Sequence, residues 1–254
     1  MFSKLKLICW HLINIKYSPQ LFILFLHYLT KRKTKPNSKL KKWILEHNTS
    51  LSEFFEKLNF QKIDFYSEHK EEIMHGYQIE KNNTIKLGGG GHLDLIHNLV
   101  HYLNPKFVLE TGVAYGWSSL AILTAFNKND NSKLISIDMK YPLLQDYSKI
   151  RGAVVLNKVN WTFIDAIDLY GINLADKYRE NQKYDFIHYD SDKTYIGRSL
   201  SYPRLWKRLN KDGYFLSDDI ADNMAFYDFC KKLNLKPAIF AINNRYAGLI
   251  KKEI

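Results

Sequence analysis

The sequence predicts an α/β fold, a parallel sheet with helices on both faces, preceded by a basic helical arm. Three observations carry this reading. From Lys106 onward, short apolar runs of strand length alternate with helix-length segments, the pattern that builds parallel sheets. Acidic residues close those runs at their C-terminal ends: Glu110, Asp138, Asp165, Asp190 and Asp218-Asp219. The chain of 254 residues is 46% hydrophobic and 25% charged, enough to bury a sizeable core. That composition excludes a disordered chain, a collagen and a small disulfide scaffold.

The first segment, residues 1–45, is an arm. It holds ten Lys and Arg and no acid, which leaves 27 basic against 26 acidic residues in the rest. The net charge of +11 therefore belongs to the arm, and the nearly neutral body argues against a nucleic-acid partner. Ser18-Pro19 reads as a helix start, followed by the apolar run Leu21–Leu29 and the basic cluster Lys31, Arg32, Lys33 and Lys35. The run is too short to cross a bilayer, and no small-residue cleavage site follows it. Two readings stand for residues 1–35: peripheral contact with an anionic membrane, or a helical cap packed on the body or on a second subunit.

Residues 46–91 read as a helical cap and linker. Ser50 with Glu53 forms a capping box that opens a helix through Leu58. Residues 60–86 are polar and weakly patterned, a linker or a substrate-side cap. The glycine run Gly88–Gly91 lacks the Lys-Ser or Lys-Thr of a Walker loop and reads as a hinge before a helix.

Residues 92–254 form the main domain. His92–Leu103 carries Leu93, Leu95, Ile96, Leu99, Val100 and Leu103 at helical spacing. His97 and His101 lie four apart on it, and without a neighbouring Glu they read as two surface histidines. Strands are predicted at 107–110, 134–138, 161–165, 184–190 and 213–218. Helices are expected at about 116–126, 173–180, 195–209 (bent at Pro203) and 222–233, with a terminal strand pair at 238–242 and 246–250. His188 falls inside a strand and reads as a packed histidine. Cys9 and Cys230 suggest no zinc or disulfide framework, so a reducing, cytoplasmic setting is expected.

Carboxylates gathered at one strand edge point to ligand binding, because open α/β sheets bind outside the carboxyl ends of their strands. Gly112 and Gly116 bracket the turn after the first strand, where glycine lets backbone approach a ligand closely. The Gly-x-x-x-Gly spacing departs from the dinucleotide fingerprint. Glu110 before the turn would repel a pyrophosphate and welcome an ammonium, and Asp138 is placed to accept both ribose hydroxyls.

The ordered set Val108–Gly116, Ile137-Asp138, Asp165-Ala166, Asp185–Asp190 and Gly213–Asp219 resembles the class I S-adenosylmethionine-dependent methyltransferases over roughly residues 90–250. The resemblance implies a Rossmann-like, seven-stranded, mostly parallel sheet of order 3-2-1-4-5-7-6. It implies S-adenosyl-L-methionine as cofactor, with Glu110 and the turn Gly112, Tyr115, Gly116 and Ser118 at its methionine part. Asp138 would take the ribose and Asp165 the adenine amino group, with Asp190 at the edge of the site.

Asp190, Ser191, Asp192, Lys193, Thr194, Tyr195 and then Asp218-Asp219 look like the metal-assisted O-methyltransferases of the catechol and macrolide-sugar types, and a related bacterial branch. By that likeness Asp190, Asp218 and Asp219 match a Mg²⁺ site, and Lys193 matches the base. A free lysine has a pKa of about 10.4, so Lys193 is either a base or an ion-pair partner that positions the substrate. The implied reaction is methyl transfer to a hydroxyl of a small molecule or glycan, the sugar preference resting on resemblance alone. The competing readings are a non-catalytic, membrane-docked scaffold and, disfavoured by the glycine spacing, a nicotinamide oxidoreductase.

Overall fold

The computed structural model describes residues 2–87, 89–126, 131–142, 144 and 146–253, with side chains from residue 5 onward. Gly88, first of the glycine run, lies outside them. The helices are α1 (Phe2–Ile13), α2 (Pro19–Thr30), α3 (Ser38–Glu46), α4 (Leu51–Lys57), α5 (Phe65–Glu68), α6 (Lys70–Asn82), α7 (Leu93–Leu103), α8 (Trp117–Ala125), α9 (Tyr147–Ile150), α10 (Asp168–Ala175), α11 (Tyr195–Arg208) and α12 (Ala225–Lys232). The strands are β1 (Phe107–Thr111), β2 (Lys133–Asp138), β3 (Trp161–Asp165), β4 (Tyr184–Tyr189), β5 (Leu209–Ser217), β6 (Ala238–Ile242) and β7 (Arg245–Lys251).

These strands form one sheet of order β3-β2-β1-β4-β5-β7-β6. Strands β1 to β5 pair in parallel, and β7 runs antiparallel to both β5 and β6. This is the Rossmann-like arrangement that the resemblance implied. All five residues of β1 are buried, as expected for a strand covered on both faces. Alternate side chains feed two cores. Leu109, Ile135, Ile187 and Phe215 pack on one face, and Val108, Leu134, Phe186 and Leu216 on the other.

Three elements differ from the sequence expectation. Strand β5 begins at Leu209, with a register shift between Tyr184 and Phe186 of β4; its polar start, Asn210 to Asp212, hides a strand from any apolar pattern. Helix α10 starts at Asp168 rather than near 173. A Cβ on Gly171 would lie 2.2 Å from Ile137 Cγ2, so a glycine inside the helix lets it lie against β2. His97 is buried rather than on the surface, against the rings of Phe65 and His69, and burial pushes its pKa down to about 4. The short helix α5 covers it, and that contact has no signature in local periodicity.

Helix α3 packs Leu40, Trp43 and Ile44 into the core, with Trp43 against Phe226 and Tyr227. The polar stretch 60–86 contains α6, which crosses α8 closely: a Cβ on Gly76 would lie 2.5 Å from the Trp117 ring. Further N-terminal, α1 and α2 fold back over the C-terminal edge of the sheet. His11, Tyr17 and Ile23 are buried beneath them. Leu12, Ile13, Ile15, Phe22, Phe25 and Leu29 stay exposed. Among the described residues no helix is long and apolar enough to cross a membrane.

Candidate active site

The C-terminal ends of β1, β2, β4 and β5 surround a cavity of about 300 Å³. Its floor is the turn after β1. Gly112 has φ +82°, and a Cβ there would meet the Asp190 carbonyl oxygen at 2.5 Å. Only glycine lets β1 and β4 converge this closely. The Gly112 amide donates to the Ile137 carbonyl and the Asp190 amide to that of Thr111, so the strand ends are locked in register around the opening.

Of the residues expected to meet the cofactor, Gly112, Tyr115, Ser118, Asp138 and Asp190 line the cavity. Tyr115 lines it with a buried ring whose hydroxyl is committed to the Ile85 carbonyl. Asp138 accepts from the Tyr147 hydroxyl and, at 3.4 Å, from the Ala114 amide. Burial raises its pKa to about 6, against the pull of Tyr147 and Arg151.

Three expected cofactor residues do not reach the cavity wall, and each has a physical reason. Glu110 shares the Val108 face of β1, which turns it toward α8. There it is fully buried and accepts from Ser118, Ser119 and Ser136 at 2.6–2.7 Å. Gly116 packs away from the opening, where a Cβ would lie 2.8 Å from Gly152 Cα. Asp165 is engaged by the arm: Tyr17 donates to it at 2.5 Å and Lys16 at 2.7 Å, with Arg151 at 3.3 Å. Burial alone would raise the Asp165 pKa, but these donors hold it below the usual carboxylate value.

The three carboxylates expected to hold Mg²⁺ are not gathered into a cation cradle. Lys193 places its ammonium between Asp190 and Asp219, 2.9 Å from the latter. Asp218 is buried and faces His188 Nε2 at 3.5 Å. His188 is fully buried between Asp218 and Glu110. Burial would lower its pKa, but the two carboxylates raise it to about 9, so it is an imidazolium at neutral pH. Its charge in turn overcomes burial at Asp218, which falls to about 2. A histidine read from the sequence as packed rather than as a second base thus supplies a positive charge at the cavity wall.

Several residues in the cavity wall or behind it escaped the sequence reading. Gln20, from α2, closes one side and donates to Asp192 at 2.9 Å. Met139, Tyr141, Pro142 and Ile167 supply an apolar slot beside Asp138. Asp168 is half-buried and accepts from the Ser191 and Tyr189 hydroxyls, and desolvation raises its pKa to about 6. Arg198, fully buried on α11, donates to the Asp218 and Asp219 carbonyls and sets the β5 end. Met139 directly follows β2 and Asp168 opens the helix after β3, so both were findable as strand-end neighbours; Gln20 and Arg198 carried no signal. Gly89 and Gly90 also line the opening, which ties the glycine run to the site.

Residues 109–220 match the model of a family described as a methyltransferase domain. No curated protein sequence matches the chain. Among solved structures, the O-methyltransferase of Bacillus cereus in complex with SAH is 11% identical, covers 84% of this chain and 99% of its own, and has a TM-score of 0.56. TomG of Streptomyces achromogenes, an O-methyltransferase of tomaymycin synthesis solved with SAM, is 12% identical at a TM-score of 0.57, covering 72% of this chain and 90% of its own. The SAH-bound methyltransferase PaMTH1 of Podospora anserina is 14% identical at 0.54, over 80% and 94%. The central sequence thus matches a methyltransferase domain, and the fold is similar to that of solved O-methyltransferases.

Proposed function

We propose that this chain, whose centre matches a methyltransferase domain, binds S-adenosyl-L-methionine and moves its methyl group to an acceptor hydroxyl. The observation that carries the reading is the pairing of Asp138 with an apolar slot of Met139, Tyr141 and Ile167 in one cavity. A carboxylate beside apolar walls is what a nucleoside needs: acceptors for ribose hydroxyls and a dry face for a purine. Asp165 is the expected adenine contact that the docked arm withholds.

When bound, S-adenosylmethionine supplies a sulfonium methyl that passes in line to the acceptor oxygen, leaving S-adenosylhomocysteine and a proton. The chain's own part is placement and electrostatics. Asp138 orients the nucleoside, the turn at Gly112 admits the methionine end, and Lys193 faces the acceptor side. The divalent ion implied by the resemblance finds no fitting donor set, so no step runs through it.

For the acceptor, a second cavity of about 360 Å³ shares Gly89, Gly90, Trp117 and Arg245 with the first and adds Tyr66, Tyr77, Glu80 and Asn243. Aromatic faces beside hydrogen-bonding groups suit a sugar or other polyhydroxyl molecule. The arm supports a second partner. Its exposed apolar residues, in a segment with ten basic residues and no acid, match an anionic membrane surface.

Calorimetric titration with S-adenosylmethionine and S-adenosylhomocysteine tests the cofactor reading. Micromolar binding is expected, and an acceptor screen over hydroxylated sugars follows from it. No binding by a folded sample would leave the scaffold reading in its place.

A further inference from the structure

The acidic cluster at the ends of β4 and β5 holds a lysine between two of its carboxylates. Asp190 and Asp219 face each other across the cavity wall, and the Lys193 ammonium lies between them, paired with both. The lysine is held there by its backbone. Asn223 donates to the Lys193 carbonyl at 2.9 Å, and the next residue, Thr194, caps α11 by accepting from the Gly197 amide. Asp218 is turned inward to His188 and His92 rather than toward its two neighbours. Among the described residues no three His, Cys, Asp or Glu side chains converge as metal ligands.

Physical chemistry sets two requirements that this arrangement does not meet. Mg²⁺ demands near-octahedral oxygen donors at about 2.1 Å, and here Asp190 and Asp219 share the Lys193 ammonium while Asp218 faces two histidines. A divalent ion between Asp190 and Asp219 would also lie against an ammonium and be repelled by it, the repulsion only partly screened at this half-buried wall.

We propose that Lys193 is the resident cation of this site: its side chain stands between Asp190 and Asp219 in place of a divalent metal and directs its charge at the acceptor oxygen. The inference deepens the methyl-transfer reading and rests on it for the acceptor's role. A tethered ammonium holds the two carboxylates apart in fixed positions. It also offers a hydrogen-bond donor where negative charge develops on the acceptor oxygen. It differs from a metal in needing no loading and in resisting chelators.

The test uses Mn²⁺ as probe on the full chain, with bound and free ion read by electron paramagnetic resonance and S-adenosylhomocysteine binding measured in parallel. Wild type is expected to bind no Mn²⁺ more tightly than about 1 mM, the weak end of carboxylate sites. Lys193→Met, which frees both carboxylates, should bind it at least about tenfold more tightly, and adding Asp190→Asn should reverse the gain. Lys193→Gln serves as the second variant should Lys193→Met fail to fold. Tight Mn²⁺ binding by wild type that Asp190→Asn abolishes would overturn the proposal, as would folded Lys193 variants that gain none. Loss of S-adenosylhomocysteine binding in wild type would instead strike the methyl-transfer reading, so the two failures are separable.

Discussion

Tyr17, in the turn between the first two helices, donates its hydroxyl to Asp165 at the end of β3, 2.5 Å away and 148 positions along the chain. Tyr17 is fully buried, Trp10 stacks on it and His11 sits beneath its carbonyl. The arm is thus pinned to the sheet edge by a charge-assisted bond, while Gln20, three residues on, forms part of the cavity wall. Packing inward and exposing an apolar face outward are not alternatives for this segment; α1 and α2 do both.

Removal of that hydroxyl should loosen the arm. Tyr17→Phe leaves Lys16 and Arg151 on Asp165, so the expected cost is about 1 kcal/mol. For a chain of this size that lowers the melting temperature by roughly 2–4 °C. An unchanged melting temperature would show that the bond contributes nothing to arm docking.

Asp138 should control cofactor affinity. Asp138→Ala is expected to weaken S-adenosylhomocysteine binding at least about tenfold, about 1.4 kcal/mol. Only the ionised carboxylate accepts from both ribose hydroxyls, and its pKa is raised to about 6. Affinity should therefore climb as pH rises through 6 and level off above it, and Asp138→Asn should flatten the profile. Titrations at pH 5, 6 and 7 check this; a flat wild-type profile would remove Asp138 from the ribose role.

The buried His188 should set alkaline stability. Its folded pKa of about 9 lies above the unfolded value of about 6.5. Its contribution is therefore fully present below pH 6.5 and is lost as pH rises through 9. Asp218, lowered to about 2, loses its share only as pH falls through 2. The melting temperature of wild type should fall between pH 7 and 9.5. His188→Gln should be less stable at pH 7, by about 3–5 kcal/mol for an orphaned buried charge, and nearly flat over that range. A variant that tracks the wild-type slope would contradict the ion pair.

The outer face of the arm should bind anionic lipid. Phe22, Phe25 and Leu29 are about 60% exposed, so replacing all three by Ser should spare the fold and S-adenosylhomocysteine affinity. Co-sedimentation with vesicles containing phosphatidylglycerol should drop severalfold. Equal sedimentation of the variant and wild type would exclude the membrane contact. A wild-type dimer dispersed by the same changes would assign the face to a second copy.

Much of this protein is determined locally. Strand-helix alternation and the acids near the ends of β1 to β5 mark a parallel α/β sheet and the edge where its ligand binds, because strand periodicity and turn chemistry are short-range properties. The glycine turn after β1 is legible for the same reason, whereas the need for glycine at 112 is tertiary: a Cβ there would lie 2.5 Å from the Asp190 carbonyl oxygen. Only the tertiary structure decides which of the strand-end acids are free. Glu110 is consumed by three serines, Asp165 by a tyrosine and a lysine from the arm, Asp218 by a buried imidazolium, and Asp190 with Asp219 by one ammonium. A carboxylate looks the same in sequence whether it meets a ligand or a neighbour. Apart from Lys193, which follows Asp190 closely in the chain, the partners lie 8 to 149 positions away, and only folding brings them within hydrogen-bond distance.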